Sequence, residues 1–208
     1  FVMPGTWSDQ AEQLADVELK FQVSILHRVG SMPLYLGYTQ VAHWRWLDEA
    51  RSAPFREVNF NPEIWYRFRS DGERSTLPRG SDVDIGFEHE SNGRSTPDSR
   101  SWDRIHVRPW LKAGRWRASL KLWHRVPESD RGSDPNPDIL DFYGNHELRP
   151  GYVFSDGDWM ELTSRHVFPE NRGSVRLRFA RPTAARNSYL FFELFSRSEE
   201  RRVGKECI

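Results

Sequence analysis

The 208 residues carry 30 Lys and Arg against 30 Asp and Glu, so no basic stripe exists to neutralise a phosphate backbone, and nucleic acid is not an expected partner. Hydrophobic residues make up 37% and aromatics 13%, with nine Trp and thirteen Phe; apolar area concentrated in large rings excludes disorder and, at this length, suits one core or one barrel. No run approaches the roughly 18 apolar residues of a spanning helix, and the lone Cys207 excludes an internal disulfide or a cysteine-based metal site.

The chain opens at Phe1 with neither an initiator Met nor a signal-type leader, and is expected to lack its true beginning. From there, period-2 alternation dominates. Val17, Leu19, Phe21, Val23 and Ile25 alternate with Glu18, Lys20, Gln22 and Ser24, and Leu34, Leu36 and Tyr38 continue the pattern. Val83, Ile85 and Phe87 alternate with Asp82, Asp84 and Glu88; Ile105, Val107 and Leu111 follow, then Trp116, Ala118, Leu120 and Leu122 against Arg117, Ser119 and Lys121. Weaker strand patterns lie near 139–154, 159–166, 173–182 and 188–196, the clearest being Val175, Leu177 and Phe179 against Arg176 and Arg178. About ten strands are expected. Turn clusters such as Ser70-Asp71-Gly72, Asp134-Pro135-Asn136-Pro137-Asp138 and Ser155-Asp156-Gly157-Asp158 separate them, which reads as a meander. Residues 1–196 form one unit, and the charged stretch 197–208, without alternation, reads as a tail outside it.

Alternation alone suits a soluble barrel and an outer-membrane barrel equally, since each has one apolar and one polar face. Two features suit the membrane form, yet pattern alone leaves it level with a soluble barrel or sandwich. The polar faces carry both signs of charge (Lys20, Asp84, Glu88, Arg117, Lys121, Arg176, Arg178), which can pair across a narrow lumen. Trp44, Trp46, Trp65, Tyr66, Trp110, Trp116, Trp123 and Trp159 fall near expected strand ends, like interfacial aromatic girdles.

One constellation carries chemistry. His89 and Ser91 close the strand that begins at Asp82, and Asp103 lies at the start of the next. Residues two apart on a strand share a face at about 6.6 Å between Cα atoms, so an imidazole at 89 can reach a hydroxyl at 91. Odd numbering puts His89 and Ser91 on the face of Val83, Ile85 and Phe87, and Asp103 on the face of Ile105 and Val107. A residue opposite His89 has its Cβ about 5 Å away, within reach for a carboxylate to accept the Nδ1 hydrogen. A His and a Ser at this spacing also occur by chance, but three polar groups interrupting an apolar face are expensive unless they serve a purpose.

The stretch His89-Glu90-Ser91-Asn92-Gly93-Arg94-Ser95, followed by Pro97, Ser99-Arg100-Ser101-Trp102 and Arg104, resembles the signature of the outer-membrane phospholipase A family. Lys20-Phe21-Gln22, Tyr38-Thr39-Gln40, Pro54-Phe55-Arg56-Glu57 with Asn59, and Asn136-Pro137-Asp138-Ile139 agree with it, so the likeness covers most of residues 17–154. The resemblance implies an all-β, antiparallel transmembrane β-barrel of about twelve strands in the Gram-negative outer membrane, of which this chain, with about ten, would be incomplete or altered at its C-terminal end. It implies a calcium-dependent homodimer that hydrolyses acyl esters of phospholipids and lysophospholipids, with A1 and A2 activity. By motif position Ser91 is the nucleophile and His89 the base. The third family position is an Asn, and Asp103 stands there instead. The family holds calcium with the backbone carbonyl at the Arg94 position, the hydroxyl at the Ser99 position and a Ser from the partner subunit that matches Ser52. That ion, with the backbone N–H at the Gly93 position, stabilises the oxyanion. Without the family match, 92–100 reads as a polar hairpin loop. Gln40 resembles a dimer-interface position, although a lone Gln on a strand is commonly lumen-facing or solvated.

Asp134 and Asp138 look like a calcium loop, but the prolines between them and the missing bidentate Glu favour a turn. His43, His106, His124, His146 and His166 have no metal-ligand spacing. The rival expectations are a non-enzymatic outer-membrane barrel of porin or adhesion type and a soluble β-barrel binding protein.

Overall fold

The computed structural model describes residues 2–6, 18–47, 55–71, 76–95, 98–127, 134, 136–168, 172–184 and 188–197. The strands are β1 (Val2–Thr6), β2 (Glu18–Arg28), β3 (Leu34–Trp44), β4 (Phe55–Arg69), β5 (Ser81–Ser91), β6 (Ser101–Ala113), β7 (Trp116–Val126), β8 (His146–Val153), β9 (Trp159–Val167), β10 (Arg172–Pro182) and β11 (Tyr189–Arg197), with a short helix α1 (Ile139–Tyr143) before β8. They form one sheet whose order follows the chain from β1 to β11, the meander that the turn clusters predict. Two elements differ from the sequence expectation. β1 pairs antiparallel with β2 through Val2↔Phe21 and Met3↔Lys20, yet Pro4 and Gly5 hide it from any alternation rule. The first part of the stretch 139–154 is one turn of helix rather than strand, and Gly144 ends it with φ +66°.

The face that each strand buries decides its solvent. On β5, Asp84 is 0% and Glu88 3% exposed, whereas Ile85 and Phe87 are 47% and 40% exposed. On β6, Arg104, His106 and Arg108 are buried while Ile105 and Leu111 are each 53% exposed. β7 buries Ser119, Lys121 and Trp123 and exposes Trp116 and Leu122. The pattern inverts that of a water-soluble barrel: charge lies inward and hydrocarbon outward, which is favourable only where the outer solvent is lipid. The fold is an antiparallel transmembrane β-barrel type, and the soluble-barrel expectation falls with this finding. Trp65 and Trp123 are corrections to the aromatic-girdle reading, because both are buried on inward faces, whereas Trp46, Tyr66 and Trp116 are exposed.

The chain packs as two compact units, residues 1–66, 86–104 and 125–135, and residues 67–85, 105–124 and 136–208. In the first, the Glu18 carboxylate accepts from Arg56 at 2.5 and 3.0 Å and from Arg45 at 3.2 Å, with His43 Nδ1 3.4 Å away. Gly37 on β3 leaves the space that Glu63 and Trp65 occupy, since a Cβ there would come within 2.7 Å of Glu63 Cγ and 2.8 Å of Trp65 Cζ3. Asp134 accepts from Arg125 at 2.6 Å, which makes it an ion-pair partner in its turn. In the second unit, Arg67 grips Asp84 in a two-pronged contact at 2.6 and 2.9 Å, and Trp110 Nε1 donates to the same carboxylate at 2.7 Å. Glu147, 2% exposed, lies between Arg149 and Arg165, both within 2.6 Å. Buried charges are tolerable only when paired in this way, and deleting one member typically costs about 3–5 kcal/mol.

Candidate active site

β5 and β6 form a hairpin closed by the loop 92–100, and Asn92 organises that loop. Its backbone N–H donates to Arg100 O at 2.9 Å, continuing the ladder one step beyond Ser91. Its side chain, on a residue only 5% exposed, does the rest. Oδ1 accepts from the N–H groups of Arg100 at 2.9 Å and Arg94 at 3.3 Å, and Nδ2 donates to Asp98 O at 2.8 Å. Asn suits this position because one short side chain offers both an acceptor and donors to a turning backbone. Gly93 follows with φ +67°, and a Cβ there would sit 2.9 Å from Phe60 Cε2, so both the backbone angle and the neighbouring ring require glycine.

The loop is also tied to the start of β4. Arg94 Nη2 donates to Arg56 O at 2.8 Å, and Arg100 is ion-paired with Glu57. Neither tie is visible in the sequence, where Arg56 and Glu57 stand only as flanking matches. Asn92, likewise, is an organising residue that the motif contains without declaring its task; an Asn one residue past a strand end and before a Gly is the signal that could have found it.

His89 and Asp103 meet on the outward face. Nδ1 of His89 lies 2.7 Å from Asp103 Oδ1, and the two side chains are 36% and 32% exposed. An ionised carboxylate can only accept, so the imidazole donates through Nδ1–H, and its neutral form then leaves the Nε2 lone pair free to take a proton. Ser91, half-buried, is the last residue of β5 and shares His89's parity on that strand. Arg94 is exposed and Ser99 half-buried in the loop. Ser52 lies outside the described residues. Gln40 pairs in register with Val23 on β2 and Phe60 on β4 and accepts from Tyr38 Oη at 3.1 Å. Since partners across a ladder share a face and Val23 is 52% exposed, Gln40 is on the outward wall rather than the lumen. Among the described residues no group of three or more His, Cys, Asp or Glu side chains could hold a metal ion.

A family model described as phospholipase A1 matches residues 4–197. The chain is 36% identical over 161 residues to the phospholipase A1 of Klebsiella pneumoniae, a match that spans 71% of this chain and 52% of that protein. The chain thus spans about half the length of the curated relatives it matches. Its fold is similar to that of outer membrane phospholipase A from Escherichia coli, with a TM-score of 0.77 and 30% identity over 88% of this chain and 76% of the other. It is also similar to a Salmonella typhi outer membrane phospholipase dimer with bound calcium, with a TM-score of 0.76 and 28% identity over 86% and 70% of the two chains. Inward charge, an outward apolar wall and these matches lead to one conclusion: the chain belongs to the phospholipase A1 family and is a transmembrane β-barrel chain of the Gram-negative outer membrane.

Proposed function

We propose that this chain is a calcium-dependent phospholipase that hydrolyses the acyl esters of phospholipids and lysophospholipids, of A1 and A2 type, through Ser91. The observation that carries the reading is the His89–Asp103 contact of 2.7 Å on a face otherwise given to lipid. A hydrophilic pair in that position is expensive unless it works on something that arrives from the bilayer. Phe87, 40% exposed one turn of the pleat from His89, offers the acyl chains an apolar approach.

In this mechanism Ser91 Oγ attacks the acyl carbonyl carbon while its proton passes to His89 Nε2. The bond from that carbon to the glycerol oxygen then breaks, and the leaving oxygen takes the proton from His89. Water repeats the sequence on the acyl-Ser91 ester and releases the fatty acid. Asp103 holds the imidazole through Nδ1 and faces the imidazolium while it exists. The Gly93 N–H donates to the carbonyl oxygen as it gains negative charge.

The calcium donor set consists of the Arg94 carbonyl, the Ser99 hydroxyl and Ser52 from the second subunit of a homodimer. These are oxygen donors only, which suits a hard cation, and the loop that carries two of them is held at both ends by Asn92. Bound there, calcium supplies positive charge beside the developing oxyanion. A solved relative described as a dimer with bound calcium supports both the ion and the assembly.

Sharing of one site between subunits has a direct consequence. Ser52→Ala and Ser99→Ala homodimers should each be inactive, whereas mixing them should restore activity, because the heterodimer keeps one intact site. Crosslinked heterodimers without activity would contradict the sharing of one site between subunits, and an active Ser52→Ala or Ser99→Ala homodimer would remove that residue from the set.

Asp103 stands where the family has Asn, which gives a second expectation. Asp103→Asn should lower kcat by about tenfold or less, since an amide oxygen can accept the same hydrogen, whereas Asp103→Ala should lose more. A loss for Asp103→Asn near the ~10⁴ that the same change causes in a serine protease would show that an amide cannot take the place of the carboxylate at this site.

A further inference from the structure

The wall behind the His89–Asp103 pair holds a second, inward cluster that the mechanism does not use. On β5, Glu88 and Glu90 flank His89; on β6, Trp102 and Arg104 flank Asp103. Because successive strand residues alternate faces, all four flanking residues lie on the face opposite the pair. Arg104 Nη2 donates to Glu88 Oε1 at 2.6 Å and to Glu90 Oε2 at 2.7 Å. The Arg104 and Glu88 side chains are each 4% exposed, and the guanidinium sits 4.0 Å above the Trp102 ring. Asn61 on β4 extends the cluster, with Nδ2 donating to Glu88 Oε1 at 2.9 Å and to the His89 carbonyl at 2.8 Å.

From this geometry we propose that Arg104 is a positioning residue for the reaction: its guanidinium bridges Glu88 and Glu90 across the β5–β6 ladder and so fixes His89 opposite Asp103. The proposal rests on the reading of Ser91 and His89 given above. Its physical basis is the place of the pair. His89 lies two residues from the end of β5, where a ladder opens most readily. Two carboxylates on one inward face, about 6.6 Å apart along the strand, repel each other unless a cation lies between them. Without Arg104 they move apart, which displaces the segment that carries His89. A shift of about 1 Å in a catalytic pair can lower a rate about a hundredfold.

The test is Arg104→Met in the calcium-loaded, detergent-purified protein, read as kcat and KM on phospholipid and as the rate of Ser91 modification by an alkyl sulfonyl fluoride. The expected result is a fall in kcat and in labelling of about ten- to a hundredfold, with KM little changed. The same substitution placed on Asp103→Ala should change either rate by less than about twofold, because the contact that Arg104 maintains is already gone. An equal loss in both backgrounds, or no loss in the first, overturns the inference, since a merely structural role moves both alike. Should Arg104→Met fail to fold, Arg104→Gln, which keeps a polar side chain in the cluster but removes the cation between Glu88 and Glu90, is read in the same two backgrounds. A loss confined to the Asp103 background supports the inference, and a loss common to both, or none, overturns it. Failure of the underlying reading looks different: Ser91→Ala would then hydrolyse phospholipid as the parent does, whatever Arg104 does.

Discussion

Replacing Ser91 by Ala should lower kcat for phospholipid hydrolysis by about six orders of magnitude, the loss seen when a serine hydrolase loses its nucleophile. The change removes one oxygen from a half-buried residue at the end of β5. The ladder beyond it is held by Asn92 N–H to Arg100 O and by the Asn92 side chain, so the strand ending does not depend on the Ser91 hydroxyl. The variant should therefore insert into membranes and migrate as a folded barrel in unheated gels. That makes the loss chemical rather than structural. A non-enzymatic porin or adhesion barrel predicts no hydrolysis by the parent and no effect of the change. Parent-like hydrolysis by Ser91→Ala would instead move the nucleophile elsewhere.

Removal of calcium is the second large effect. Chelation should lower kcat by at least the factor of about 10²–10³ that follows loss of one oxyanion-stabilising group. Added calcium should restore it. Magnesium should not, because it requires a tight octahedron of oxygens at about 2.0–2.1 Å and gives up water reluctantly, whereas the proposed donors are one carbonyl and two hydroxyls on separate segments. The His89–Asp103 contact does not involve those donors, so chelation is expected to leave the folded barrel and the pair intact. Full activity in excess chelator would remove calcium from the mechanism without disturbing the roles given to Ser91 and His89.

Strand order and the parity of the site were legible in the sequence because they depend on a period of two. Leu19, Phe21, Val23 and Ile25 against Glu18, Lys20 and Gln22 define β2, and the same rule puts His89, Ser91 and Asp103 on the face of Phe87 and Ile105. Alternation could not say which solvent the apolar face meets, since it is identical for both kinds of barrel. The burial of Asp84, Glu88, His106 and Glu147 against exposed Ile25, Ile105 and Phe192 decides it. Trp65 and Trp123 were misread for a related reason: their place near strand ends was visible, but parity puts Trp65 with Glu57 and Trp123 with Lys121 on the buried side.

Side-chain partnerships were the least legible. Glu88 and Glu90 read as polar-face residues, and only the register of β5 against β6 delivers Arg104 to both. Glu18 meets Arg56 across 38 positions of chain, with nothing local to announce it. α1 is a single turn, shorter than any helical period can reveal.

Covalent capture shows which side chain attacks the ester, and Ser91 is the residue it should mark. The purified protein, loaded with calcium in detergent, is treated with a long-chain alkyl sulfonyl fluoride, and the modified peptide is located by mass spectrometry while residual phospholipid hydrolysis is followed. One sulfonyl group is expected, on Ser91, with activity falling in proportion to its occupancy. A label on another residue that accounts for the inactivation, or full occupancy of Ser91 with hydrolysis intact, would contradict the role given to Ser91.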